Sequence, residues 1–281
     1  MSIWEADFYR RPLQDTTGHL LWELLICDSA GTFYYSDFCP QPEVSADWLT
    51  AQLQRLVDKE NSLPEEIRAF RPQAFNLLDS ACKQMGMRAV PDRRTPTLKR
   101  WLKERARDYP TFPNYTNQLF DPLSLDQPPP VPLPENLWGE QWRFAALSAG
   151  ELVDSFSDRP IPILELPEAL LPFNLGLAST DFVPGIVIEG GRKSMHLARW
   201  LQQSHPVSLS YSPGAPDGLI LSAGLVDRWI VATFDDAEVA GAAQTYERRK
   251  QQSKGLHFLL VQPDDSGMTY SGFWLLQSEA S

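Results

Sequence analysis

Eight prolines fall between Pro110 and Pro134, ending in the run DQPPPVPLP at residues 126–134. Proline fixes φ and has no amide hydrogen, so this stretch favours extended polyproline II and interrupts any helix or central strand. It divides the 281 residues into two blocks, each long enough to bury a core of its own. The organisation expected is an N-terminal mixed α/β domain over residues 1–120, a Pro-rich linker over 121–137 and a C-terminal mixed α/β domain over 138–281. No repeat relates the blocks. Hydrophobic residues at 43% and charged residues at 22% are the balance of a folded chain. No run approaches the ~18 consecutive apolar residues that would span a bilayer.

The first block reads as three strands followed by alternating helices and strands. In IWEADFYRR (3–11), Trp4, Ala6 and Phe8 alternate with Glu5, Asp7 and Tyr9. HLLWELLICD and TFYYSDF follow, joined by a hairpin at Asp28–Gly31. Ser45 suits the N-cap of a helix carrying Trp48, Leu49, Leu53, Leu56 and Val57. A strand at RAFRPQ (68–73), a helix FNLLDSACKQM closed by Gly86, a strand MRAVPD and a basic helix complete the block. The order β-β-β-α-β-α-β-α calls for a mixed sheet and is the order of ribonuclease-H-like folds, a likeness that transfers no activity.

The second block is also mixed α/β. Strands are expected in QWRFAALSAGEL (141–152), IPILELP, VPGIVIEGG, PVSLSYS, GLILSAGL and DRWIVATF. Helices are expected at SMHLARWLQQ and at 237–252, and a closing hairpin at KGLHFLLVQ and MTYSGFWLL.

The formal net charge is −11, yet residues 88–107 hold eight Lys/Arg against two acids, leaving −17 for the rest. Within this run Thr95 suits an N-cap and Pro96 the first helical position. Leu98, Trp101, Leu102 and Ala106 gather on one side of the helix. Lys99, Lys103 and Arg107 stack on another, with Arg100 close to Arg107. Arg105 lies at the apolar edge and must snorkel or pair. The plain alternative is a solvated helix face, but such faces mix signs, and like charges at i, i+4 weaken a helix. Phosphate neutralisation is the main use of so concentrated a patch. Arg93 and Arg94 precede a helix N-terminus whose amides and dipole also favour phosphate. Arg71 is a further candidate.

IEGGRKS (188–194) reads either as a phosphate cradle completed by Arg192 and Lys193 or as a plain strand-to-helix turn. It matches no P-loop. Lys254–Val261 departs from the first ribonucleoprotein signature of RRM domains at Leu256, His257 and Val261, and reads as a core strand. Tyr34, Tyr35, Tyr115 and Trp138 are candidates for stacking on bases, against the simpler assignment of most tryptophans to the core. Glu5, Asp7 and Glu23 can supply early carboxylates of a two-metal nuclease. Arg71 and Gln73 stand where the next acid is needed, so that pattern is incomplete. Cys27, Cys39 and Cys82 have no C-x-x-C spacing and are expected reduced. The four histidines are scattered, so neither a metal site nor a catalytic triad is legible.

The strings IWEADFYRRPLQD (3–15), LWELLICD (21–28), FRPQ (70–73), RRTPTLKRWLKER (93–105) and FWLL (273–276) together resemble the Tab/Atab family of photosynthetic organisms. The resemblance runs from Ile3 to Leu276 and includes the family's C-terminal Trp274-Leu275-Leu276. Algal and plant members are chloroplast RNA-binding proteins that activate translation of photosystem reaction-centre messages, photosystem I above all. The resemblance implies an RNA partner, support of photosystem biogenesis, and no catalytic residues, cofactor or metal. Arg93, Arg94, Lys99, Arg100, Lys103 and Arg107 are then the RNA-contacting set, with Arg71, Arg192 and Lys193 behind them. Three adjacent apolar residues in one strand read as a buried final strand, so Trp274, Leu275 and Leu276 are expected to be structural. The start MSIWEADFYRR lacks signal- and transit-peptide character, which points to a cyanobacterial homologue in the cytoplasm. Two alternatives stay open: a metal-dependent nuclease, and a photosystem assembly factor whose basic face meets an acidic protein or the thylakoid surface.

Overall fold

The alternation around Trp4 sets the first sheet. In the computed structural model, which describes residues 2–157 and 159–278, Ile3–Gln14 forms β1. Then come β2 Leu20–Asp28, β3 Tyr34–Pro40, α1 Ala46–Glu60, β4 Glu66–Ala69, α2 Pro72–Gln84, β5 Arg88–Pro91 and α3 Pro96–Asp108. The sheet order is β3-β2-β1-β4-β5. β1 pairs antiparallel with β2 and parallel with β4. The chain divides into two compact units, Met1–Asp126 and Gln127–Ser281.

Both faces of this sheet are covered. Trp4, Ala6, Phe8, Leu24 and Ile26 pack against Leu49, Leu53 and Leu56 of α1 and against Ala74 and Leu78 of α2. Leu25 and Cys27 face the other way, onto Leu98 and Leu102 of α3 and onto Phe70. This is why β2 reads as an unbroken apolar run. Ser45 caps α1 as expected, its Oγ accepting from the Trp48 amide at 3.2 Å. The strand expected through Gln73 ends at Ala69. Pro72 opens α2 instead, because its missing N–H costs nothing at a first helical turn. Cys27 and Cys39 project to opposite faces of the sheet, and burial pushes each thiol up to about 12. The cysteines at 27, 39 and 82 are free.

The second unit holds two sheets. Its elements are β6 Val131–Pro132, β7 Gln141–Ser148, α4 Ala149–Phe156, β8 Ile163–Glu165, β9 Phe182–Glu189, α5 Ser194–Ser204, β10 Pro206–Ser212, β11 Asp217–Ala223, β12 Asp227–Phe234, α6 Ala237–Gln252, β13 Leu256–Gln262 and β14 Gly272–Gln277. One sheet runs β10-β11-β12-β6 and the other β7-β9-β13-β14-β8. The strand expected through Leu152 stops at Ser148. There a capping box forms: Glu151 N–H donates to Ser148 Oγ at 3.3 Å, and Ser148 N–H to Glu151 Oε2 at 3.1 Å.

The proline-rich stretch is mostly drawn into the two units. Pro122 and Ser124 offer carbonyls to Arg71 in the first. Val131 and Pro132 form the edge strand beside β12 in the second, a position where a proline forfeits no ladder bond.

β13 is buried on both faces, as expected for a core strand. Its His257 accepts the Leu209 amide at Nε2 (2.9 Å), while Nδ1–H donates to the Gly255 carbonyl (2.8 Å). Lys250 and Tyr246 of α6 also donate to the Leu209 carbonyl, and Glu247 pairs with Lys250 at 2.8 Å. Burial, with Lys250 adding to it, drives the His257 pKa from 6.5 down to about 3. Below pH 6.5 the unfolded chain therefore binds a proton that the folded chain refuses until about pH 3. The contribution of this site to stability is complete above that window and is lost as pH falls through it, at up to ~1.4 kcal/mol per pH unit. Urea midpoints compared between about pH 7 and pH 4.5 are expected to fall less in His257→Gln than in the wild type. Equal falls would show that His257 protonates freely in the fold.

Candidate nucleic-acid interface

α3 is held from beneath by its apolar side and by one buried carboxylate. Leu98 and Leu102 are fully buried, and Trp101 packs at their edge with its ring T-shaped to Tyr34 at 5.0 Å. The helix start departs from expectation. Thr95 is buried and its hydroxyl does not cap the helix. The cap is Glu5 of β1, 1% exposed, whose Oε2 accepts the Leu98 amide at 2.8 Å. Burial raises the Glu5 pKa and the Leu98 amide opposes that rise. The amide and dipole that were expected to welcome a phosphate thus already hold a carboxylate. Any anion on this helix must be bound by side chains along its outer face.

Arg94, Arg100, Lys103 and Arg107 are exposed. Arg100, Lys103 and Arg107, spaced i, i+3, i+7, share one stripe. Among the described residues no ion pair within 4 Å engages these three. Arg93 and Lys99 are half-buried, and the Lys99 ammonium sits 5.0 Å from the centre of the Phe70 ring. Arg100 rather than Lys99 therefore completes the outward stripe. Tyr34, 45% exposed, flanks the helix through Trp101. Tyr35 and Tyr115 are half-buried, and Tyr35 donates to Gln52.

Arg105 finds its place beneath α3. Its guanidinium pairs with Glu23 of β2, which also accepts Arg11 Nε at 3.0 Å and the Tyr109 hydroxyl. Arg11 Nη2 reaches Asp7 at 2.8 Å, and Asp7 Oδ1 meets Arg71 Nε at 2.9 Å. Arg71 also lies 4.3 Å from the Tyr9 ring centre and donates to the carbonyls of Pro122 and Ser124. Burial disfavours the Arg11 charge, yet Asp7, Tyr109 and Glu23 hold its pKa above the ordinary value. Asp7, Arg11, Glu23 and Arg71 are all at most 2% exposed.

This network corrects the expectation for Arg71 and adds to the incompleteness of the nuclease pattern. Arg71 is a structural cation with no face for an outside phosphate. Asp7 and Glu23 are bound by three guanidinium groups, which would repel a metal where a nuclease needs one. Arg11 and Tyr109 were missed in the sequence. The one local signal was an arginine following Arg10 in a strand whose alternation puts it on the covered face.

The turn Gly190–Ser194 is a plain strand-to-helix turn. The Gly190 and Gly191 amides donate to the carbonyls of Gln262 and Pro263 at 2.9 and 3.0 Å. Gly191 takes φ +52°, and a Cβ there would lie 2.0 Å from Glu140 Oε1. The amides of a cradle are spent and a carboxylate faces the turn, so Arg192 and Lys193 are exposed side chains without a cradle. Trp274, Leu275 and Leu276 are each fully buried. Trp274 and Leu276 point into the core shared with Leu209 and Leu221, and Leu275 into the one shared with Phe258.

Fold and site together define a two-unit α/β protein whose first unit carries a basic helix clamped by buried carboxylates. A family model described as "RNA-binding protein Tab2/Atab2 N terminal" matches residues 3–105, and "RNA-binding protein Tab2/Atab2, C-terminal domain" matches 120–277. The "Protein TAB2 homolog, chloroplastic" of Arabidopsis thaliana is 33% identical over 279 residues, covering 97% of this chain and 74% of the relative. The protein of the same description from Zea mays is also 33% identical over 279 residues, covering 97% and 70%. The chain belongs to the Tab2/Atab2 family of RNA-binding proteins. A simian T-cell lymphotropic virus intasome in complex with PP2A regulatory subunit B56 gamma aligns with 40% of this chain and 43% of that chain. Its identity is 18% and its TM-score 0.26.

Proposed function

We propose that this protein binds RNA through the outer stripe of α3 and so supports synthesis of photosystem reaction-centre subunits, those of photosystem I above all. It does so without a catalytic step, in the cyanobacterial cytoplasm. The observation that carries the reading is the exposed row Arg100, Lys103 and Arg107, with Arg94 beside it. It stands on an otherwise acidic protein of a family described as RNA-binding. Three cations on one helical stripe match successive backbone phosphates and carry no base preference of their own. Tyr34 at the flank offers a ring on which an unpaired base can stack. The curated relatives are named as chloroplastic, which supports a role in photosynthetic gene expression. Among the described residues no helix is long and apolar enough to cross a membrane.

Ultraviolet crosslinking in living cells, followed by sequencing of the bound RNA and mapping of the crosslinked peptides, tests the reading. Photosystem-subunit messages and crosslinks on residues 94–107 are the expected result. Recovery of protein partners but no RNA, with and without nuclease treatment, would replace it with the assembly-factor reading.

A further inference from the structure

The second unit contains a cavity of about 440 Å³ that the RNA reading does not use. This is the size of a small-molecule site. Leu209, Leu221 and Leu259 are among its fully buried residues, Trp142 and Trp200 line it half-buried, and Trp138 (54% exposed) and Glu140 stand where it meets solvent. Protein cores ordinarily leave few voids larger than a water molecule, so a hollow of this size, open to solvent on one side and cut into the core, needs a structural cause.

Two features supply that cause. The first is the end of the proline-rich stretch. Residues 131–142 run from β6 into β7 and form one rim, fixed by the bond from Leu133 N–H to the Ile230 carbonyl (3.1 Å) and that from Trp138 Nε1 to the Leu133 carbonyl (2.6 Å). The second is a bulge in β12. Leu219 pairs with Ala232 but Ile220 pairs with Ile230, leaving Val231 extra. A regular strand shows every second residue to one side. Here four successive residues, Ile230 to Thr233, line the cavity. Bulges are used to re-aim side chains beside binding sites.

The lining also states what it takes. Among the described residues it holds three indoles and no Lys, Arg or His, and the one charged residue there is Glu140. A phosphate- or carboxylate-bearing ligand finds no counter-charge there and one like charge. Indole faces favour flat rings, and the Trp138 N–H is already committed to Leu133. We infer that this cavity is a binding site for an uncharged, largely apolar small molecule carrying a flat ring system.

The neutral two-ring fluorophore N-phenyl-1-naphthylamine is the probe. Titrated into the full chain, it is expected to show saturable, blue-shifted emission with one site per chain. Ala232→Trp, which places an indole in the cavity, should weaken binding by about tenfold or more while the circular dichroism spectrum and thermal midpoint are retained. If that variant misfolds, Thr233→Phe at the exposed end of the same strand face is expected to show the same loss. The anionic relative 1-anilinonaphthalene-8-sulfonate should bind at least about tenfold more weakly than the neutral probe. Unsaturable emission would overturn the inference, as would undiminished affinity in a folded, filled variant. Equal binding of the sulfonate would overturn the charge assignment, and displacement by adenosine or uridine would make the site a base pocket.

Discussion

Glu23→Ala is expected to destabilise the first unit by about 3–5 kcal/mol, the cost of breaking a buried ion pair by removing one partner. Glu23 receives Arg11 Nε, the Arg105 guanidinium and the Tyr109 hydroxyl at one buried carboxylate. Its removal leaves the buried Arg11 Nε and Tyr109 hydroxyl without their acceptor and takes the main partner from Arg105, while Asp7 still holds Arg11 Nη2. Against total stabilities of ~5–15 kcal/mol, such a loss leaves a large unfolded fraction under mild denaturant. Glu23→Gln keeps an acceptor for Tyr109 and is expected to lose less. Urea unfolding followed by circular dichroism checks both. A fully stable Glu23→Ala would mean that the carboxylate is a functional group and not the tie between β2 and α3.

Trp274→Ala is expected to cost about 3–5 kcal/mol in the second unit, in the range for removing a buried aromatic side chain. Trp274 is fully buried and faces the core that holds Leu209, Leu221 and Leu259. The edge of its ring passes close to Gly272, where an added Cβ would lie 2.4 Å from Cη2. Trp274→Phe keeps most of the apolar volume and should lose less. RNA affinity, measured where each variant is still folded, is expected to match the wild type. A variant as stable as the wild type but unable to bind RNA would make this motif a direct RNA contact and contradict the structural role.

What was legible in the sequence was local. Residues at 3.6-residue spacing marked α1 and the buried side of α3, and two-residue alternation marked β1. The double-sided apolar runs of β13 and β14 announced strands covered on both faces. What stayed hidden depends on partners far apart in the chain. Glu5 caps a helix 93 residues later, and no local pattern reports such a distance. Thr95 looked like the cap because it had the right chemistry at the right position, and the fold brought a stronger acceptor. Lys99 was placed outward by helical angle alone, but the Phe70 ring draws its ammonium in. The capping box at Ser148 and Glu151 was visible as S-x-x-E yet lost to the apolar alternation before it. The glycine turn could be read as a cradle or as a plain turn, and the carbonyls of Gln262 and Pro263, at and just past the end of β13, take its amides and make it the plain turn.

The central claim, that the α3 stripe meets RNA phosphates, is tested most directly by salt dependence. The affinity of the wild type for single-stranded RNA should be measured across a salt series beside Arg100→Gln/Lys103→Gln/Arg107→Gln. All three side chains are exposed, so the fold should survive, as circular dichroism can confirm. Each phosphate contact on a single strand contributes about 0.7 to the slope of log affinity against log salt, so the triple variant should bind more weakly with a slope shallower by about 2. An unchanged affinity and an unchanged slope would contradict the account.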